Sequence, residues 1–320
     1  MNWKFLGAVI LLAALPVAAQ DYPAKPVRII VPYAPGGATD IIARIVAAKL
    51  GESLSQSFVV ENRPGASGNL ALETVAKAPA DGYTLLVGNV STNTINESVY
   101  AGQLSIRPSR DLVAVTKLVE IPHIVVASAA FPASNIAELI ALAKKEPGKI
   151  NFASVGLGSY PHLDMERFMK ASGTEMTHVP YKGGAGQAIP AIIAGEVQLA
   201  FFNMASLLPH IRSGRLKALA AVPAQRLPEL PDVPTLAEQG FPGIGTNAWQ
   251  GLFAPAATPG PVVDKIYTAV AAVLAREKTG LAEKMMTVDV SPSPAAFTAQ
   301  VRRETQAWGE FLRDAKIKIE

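Results

Sequence analysis

Apolar positions along this chain alternate between short runs and stripes spaced near the helical period. Residues 27–31 form an apolar, β-branched run that the segment PYAPGG breaks. Beyond it Ile41, Ile42, Ile45 and Ala48 recur at about 3.6 residues, while Arg44 and Lys49 fall off that stripe. The pattern predicts a strand, a loop and a helix that opens at Ala38 or Thr39 and runs to residue 50, with Gly51 placed to end it. It repeats at once, giving a strand over 58–60, the loop ENRPGASGN, a helix over 70–77 and a strand over 83–87.

Two apolar stretches, 112–119 and 123–127, flank Ile121-Pro122, which reads as a first crossing between domains. A second series then follows. A helix over 136–145 leads to a strand over 150–154, the loop VGLGSYPH and a helix over 163–172. A strand over 176–180, the loop YKGGAG, a helix over 187–194 and a strand over 197–201 complete a sheet of its own. Pro223, Pro228, Pro231, Pro234 and Pro242 crowd a stretch without periodicity, read as the return crossing, and residues 247–254 lead into three C-terminal helices. Phe297, Val301, Trp308 and Leu312 share one face of the last helix, as core positions do.

Strands alternating with helices over short connections predict an α/β chain with parallel βαβ units. Such sheets bind ligands at the carboxyl ends of their strands. A single core stops growing beyond roughly 250–300 residues. The 320 residues therefore divide into domain 1 (20–121 plus 246–320) and domain 2 (122–245).

The first 19 residues change the picture of where this fold works. Lys4, an apolar stretch over 5–15 and Val17-Ala18-Ala19 ahead of Gln20 have the layout of a secretory leader cleaved after about Ala19. The stretch is too short to span a bilayer, for which about 20 residues are needed. There is no cysteine, so disulfides, thiolate metal sites and a cysteine nucleophile are excluded. The 29 Lys and Arg fall to 28 with the leader gone, against 26 Asp and Glu, and they form no basic stripe, so nucleic-acid binding has no support.

Four loops carry the candidate chemistry: Pro35-Gly36-Gly37-Ala38-Thr39-Asp40, Pro64-Gly65-Ala66-Ser67-Gly68-Asn69, Gly156-Leu157-Gly158-Ser159 and Lys182-Gly183-Gly184-Ala185-Gly186. Each stands before a predicted helix. Glycine lets main-chain amides approach a ligand, and the helix start offers unsatisfied N–H groups at a positive dipole end, so each loop is an anion site or simply a tight turn. Dinucleotide and P-loop fingerprints are absent, as are GxSxG and HExxH. The histidines at 123, 162, 178 and 210 are scattered; only His162 adjoins a Gly-Ser loop, and catalysis there would need a nucleophile and an orienting acid. No cofactor or metal is expected.

The segments YPAKPVRIIVPYAPGGATD, ENRPGASGN, DGYTLLVGN, INFASVGLGSYPH, THVPYKGG and LPDVPTLAEQGFPG, in this order, resemble the substrate-binding proteins of tripartite tricarboxylate transporters, the Bug or TctC family. The resemblance implies a periplasmic, two-domain fold of the periplasmic-binding-protein type (type II-like). Two mixed sheets flanked by helices would enclose a cleft that grips a small carboxylate and closes about a hinge. It also implies large and small membrane subunits as partners, with the receptor acting as a monomer. Carried onto this chain, domain 1 offers Tyr33, Pro35, Gly36, Gly37, Ala38, Ser67, Ser91 and Thr92. Domain 2 offers Ser154, Gly156, Ser159, His162, Lys182 and Asn203.

Asp40 and Thr39 have structural readings, as a dipole-stabilising acid and an N-cap. Trp249 either walls the cleft or packs in the core. Relatives often carry acids in the segment that here reads GEVQLAFFNMAS. Gln198 and Phe202 stand there instead, which points to a plain or aromatic carboxylate rather than an amino acid. A receptor for a sensor kinase and a secreted enzyme on the same scaffold are the competing functions.

Overall fold

The computed structural model describes residues 22–246 and 248–315; the expected leader, 1–19, and Asn247 lie outside these. Two mixed sheets, each covered by helices, are threaded by one chain that crosses between them twice. The first sheet begins with β1 (Val27–Val31), α1 (Ala38–Leu54), β2 (Phe58–Asn62), a 3₁₀ turn (Ala66–Gly68), α2 (Asn69–Ala76) and β3 (Thr84–Asn89). A single π-turn (Ser91–Ile95), α3 (Asn96–Val99), α4 (Pro108–Asp111) and β4 (Leu112–Ile121) follow. Past Pro122 the second sheet starts with β5 (His123–Ser128), α5 (Ile136–Lys145), β6 (Asn151–Ser154) and α6 (Tyr160–Ser172). It goes on through β7 (Thr177–Pro180), α7 (Ala185–Ala194), β8 (Leu199–Asn203), α8 (Met204–Arg212) and β9 (Leu216–Ala221). The chain then returns as β10 (Ala248–Pro255), α9 (Gly260–Ala282), β11 (Thr287–Val288) and α10 (Pro294–Ala315).

Strand order is β11-β4-β10-β3-β1-β2 in one lobe and β7-β6-β8-β5-β9 in the other. The βαβ units pair in parallel, β1 with β2 and β3, β6 with β7 and β8. The strands that adjoin the crossings, β4, β5 and β10, pair antiparallel, so each sheet is mixed. Parallel pairing aims the loops after β1, β3, β6, β7 and β8 at one seam between the lobes.

Four expectations change. The first helix passes through Gly51 to Leu54 and ends where Ser55 takes the left-handed φ of 51°. An interior glycine costs roughly 1 kcal/mol of helix propensity, which packing of Leu54 on the core offsets. Two long helices, not three, follow β10 among the described residues, because 260–282 is one continuous helix. Trp249 is 1% exposed, packs edge-on against Phe297, and donates from Nε1 to Glu304, so it belongs to the core of the first lobe and not to a cleft wall. Thr39 does not cap α1; Gly37 occupies the N-cap and the Thr39 hydroxyl donates to Gln250 Oε1.

Candidate functional site

The lobes meet at several places along the seam, and three of these contacts hold residues singled out in the sequence. In the first, the loop after β1 meets the loop after β7: Ala34 N–H donates to Gly183 O at 2.9 Å, and Tyr33 lies against Gly184. Gly37 caps α1 so near the start of α7 that a Cβ on it would stand 3.8 Å from Ala185 Cβ. The N-terminal ends of α1 and α7 therefore face one another. Two positive dipole ends in contact make a local potential that an anion between them lowers.

The second contact sets Ser67, held at a φ of 54°, against Gly156. The Tyr100 hydroxyl bridges Ser67 Oγ at 2.7 Å and Leu157 O at 2.9 Å. In the third, Tyr160 N–H at the start of α6 donates to Ser91 Oγ at 3.0 Å. Ser91 opens the π-turn, all five of whose residues are buried although four are polar or hydroxylated. Such turns recur at functional sites because they break the helical ladder locally.

Between these contacts lies a buried polar cluster. Asn89 Nδ2 donates to the Tyr33 hydroxyl at 3.2 Å. Burial pushes the Tyr33 phenol above its ordinary range, with Asn89 opposing, and burial pushes the Tyr160 phenol up in the same way. Both stay neutral donors at physiological pH. Asn203, which contacts Tyr160, accepts Ser206 N–H at 3.0 Å and so caps α8 at the carboxyl end of β8.

Of the residues singled out in the sequence, Tyr33, Gly37, Ala38, Ser67, Ser91, Gly156 and Asn203 come together here, all buried. Pro35 and Gly36 are exposed at the rim. Thr92 turns back on its own strand end, where its Oγ1 accepts Asn89 N–H. Ser154, Ser159 and His162 hold the Gly156–Gly158 loop from behind: Ser159 Oγ donates to Gly156 O at 2.6 Å, Ser154 Oγ accepts Gly156 N–H, and His162 Nδ1 accepts Gly158 N–H. The His162 ring stacks on His178 at 3.8 Å, which holds it behind the loop that it bonds. Lys182 is exposed and forms no salt bridge among the described residues.

Asp40 keeps its structural reading. Burial raises its pKa, but hydrogen bonds from Arg44, Asn62 and Gly36 more than offset this and hold the carboxyl below its ordinary value. Gln198 sits at the entry end of β8, bonded to Asn151 N and Gly195 O, so the lack of an acid there says nothing about the seam. Phe202 is buried in the apolar cluster that also holds Tyr33, Ala38 and Ala185. Asn89, Tyr100 and Tyr160 are not singled out in the sequence, and His123 stands there only as one of four scattered histidines. The signal for Tyr160 was its place in the first helical turn after a Gly-Ser loop, and for His123 its place directly after the crossing proline. Among the described residues no cluster could hold a metal and no helix is long and apolar enough to cross a membrane.

Known proteins share this arrangement. Protein BugT of Bordetella pertussis is 35% identical over 315 residues, covering 96% of this chain and 94% of BugT. The R. palustris protein Rpa4515, solved with adipate, superposes with a TM-score of 0.88 at 34% identity, covering 92% of this chain and 99% of its own. The periplasmic binding protein BugD gives 0.86 at 33%, over 93% and 99%. Shared fold at about a third identity makes the chain a two-lobed solute-binding receptor of the periplasmic type, as these relatives are. A family model for the tripartite tricarboxylate transporter family receptor, TctC, matches residues 42–308, and the chain belongs to that family, with the Bug proteins.

Proposed function

We propose that this chain is exported by its leader, 1–19, and captures a small carboxylate between the lobes 20–121 plus 246–320 and 122–245, handing it to the membrane subunits of a tripartite tricarboxylate transporter. The observation that carries this reading is the facing of the α1 and α7 N-termini across Gly37 and Ala185, beside the buried donors Tyr33, Ser91 and Tyr160. Backbone amides and neutral hydroxyls suit an anion and exclude water from it. Adipate in the solved Rpa4515 protein supports the ligand class.

A plain or aromatic carboxylate is favoured over an amino acid, on grounds other than positions 198 and 202. Two carboxylates near the seam are committed, Asp40 to Gly36, Arg44 and Asn62, and Asp164 to Thr246, so neither is free to pair with an ammonium. The ligand closes the lobes only through higher affinity for the closed form. Mass spectrometry of ligand released from protein purified from its own host tests the reading. An unmodified carboxylic acid at about one per chain supports it, as does compaction on rebinding seen by solution scattering. Recovery of an amino acid or a sugar sinks it.

A further inference from the structure

His123 opens β5 directly after Pro122, where the chain passes from one lobe to the other. Its side chain is 1% exposed, and its ring stacks on Tyr160 with centroids 4.5 Å apart and planes 12° from parallel. Neither Nδ1 nor Nε2 has a hydrogen-bond partner. The main chain around it is tied on both sides: His123 pairs with Asn203 on β8, and Val222 N–H donates to His123 O, so the ring is held beside Asn203 and against Tyr160, whose N–H reaches Ser91 of the other lobe. Buried polar groups are nearly always satisfied, and two orphaned nitrogens on one ring mark a place where a partner belongs.

The groups facing this ring are Tyr160 from α6, Asn203 from β8 and, beyond Tyr160, Tyr33 from the first lobe. Both phenols are neutral, and burial alone depresses the imidazole, to about 3. Empty, His123 is therefore neutral and offers one N–H and one lone pair. A carboxylate can answer the N–H but has no hydrogen for the lone pair. Its charge, set beside the ring, favours the imidazolium, in which both nitrogens donate.

We propose that His123 contacts the bound carboxylate and that each ligand enters together with one proton, taken from solvent onto the free nitrogen of that ring. The proposal rests on the reading of the seam as a carboxylate site. It explains how a site lined by neutral groups neutralises its ligand: Lys182 is exposed, and a cation forms at the buried ring only when the anion is present. In the empty cleft an imidazolium would stand buried without a counter-charge; as a neutral ring it does not.

Calorimetric titration of the mature chain at pH 7 with adipate, succinate, malate and benzoate, in buffers of differing ionisation enthalpy, tests this. The dependence of observed enthalpy on buffer enthalpy should report uptake of about one proton per bound probe, and His123→Gln should abolish the uptake and weaken binding about tenfold or more. Binding without uptake, or uptake that survives in His123→Gln, overturns the inference while leaving the carboxylate reading intact. Failure of every probe to bind removes that reading, and the inference with it. A measurement free of any variant is the ¹⁵N spectrum of the imidazoles in the wild-type chain. One ring should move from the neutral to the doubly protonated range on saturation with ligand, and a spectrum in which none does so contradicts the proposal.

Discussion

Gly156 faces Ser67 across the seam so closely that a Cβ on Gly156 would stand 2.3 Å from Ser67 Oγ. Its φ of 135° is in addition one that a side chain strains. A single added atom there would oppose the meeting of the lobes.

Gly156→Ala should hold the lobes apart and lower affinity for the bound carboxylate by about tenfold or more, since apparent affinity scales with the population able to close. Backbone strain at such a φ is worth about 1–3 kcal/mol and lowers the melting temperature by itself. Ser67→Gly in the same chain removes the two nearest opposing atoms, Oγ and Cβ, and should restore affinity without restoring the melting temperature. Calorimetric titration beside thermal denaturation separates the two effects.

The Tyr160 N–H to Ser91 Oγ bond spans the lobes, whereas Lys182 is exposed. Ser91→Ala should weaken binding by about 1 kcal/mol, the usual net worth of such a bond, or about fivefold. Lys182→Ala should change it less than twofold. Equilibrium titration of both variants checks this, and the reverse order of effects would move the grip to the loop after β7.

Asp164 on α6 accepts both Thr246 N–H and Thr246 Oγ1, tying α6 to the segment that returns to the first lobe. Burial, opposed by Thr246 and Arg167, pushes its carboxyl up to about 7. The folded chain then binds the proton more tightly than the unfolded one, so this residue's contribution is full below about 4 and is lost as pH rises towards 7. Asp164→Asn should flatten that part of the profile. Urea denaturation at pH 5 and pH 8 measures it, with the wild type losing more than the variant on going to pH 8.

Two histidines act with the opposite sign. Burial depresses His123 and His178 to about 3, with His162 adding to the effect on His178. Unfolded chain binds protons there first, so stability is complete above about 6.5 and is lost as pH falls towards 3. His178→Gln should weaken the dependence in that window. Melting curves between pH 4 and pH 7 read it directly, and an unchanged slope would mean that His178 is already charged in the folded chain.

Where burial sets the pattern, sequence and structure agree. The first strand lies at 27–31 as its β-branched run predicts, since three of its five residues form an unbroken buried end. The helix at 136–145 starts and stops as predicted because Asn135 caps it through Glu138 N–H and its apolar stripe packs on Phe152 and Phe168. Site geometry was less legible. The π-turn at 91–95 escaped notice because its buried side chains, Ser91, Thr92, Asn93 and Thr94, are polar and follow no apolar period. His162 was placed by its nearness to a Gly-Ser loop, yet its direction is set by stacking on His178, a contact made only when β6 and β7 pair. Gln198 was placed by its segment, and only the direction of β8 shows that it lies at the end away from the seam.

The central claim is capture of a carboxylate between closing lobes, and small-angle X-ray scattering of the mature chain with and without adipate, succinate, malate and benzoate tests it most directly. At least one carboxylate should reduce the radius of gyration at saturation, and Gly156→Ala should not follow it. An unchanged radius with every carboxylate, or the same compaction in Gly156→Ala, would contradict the account.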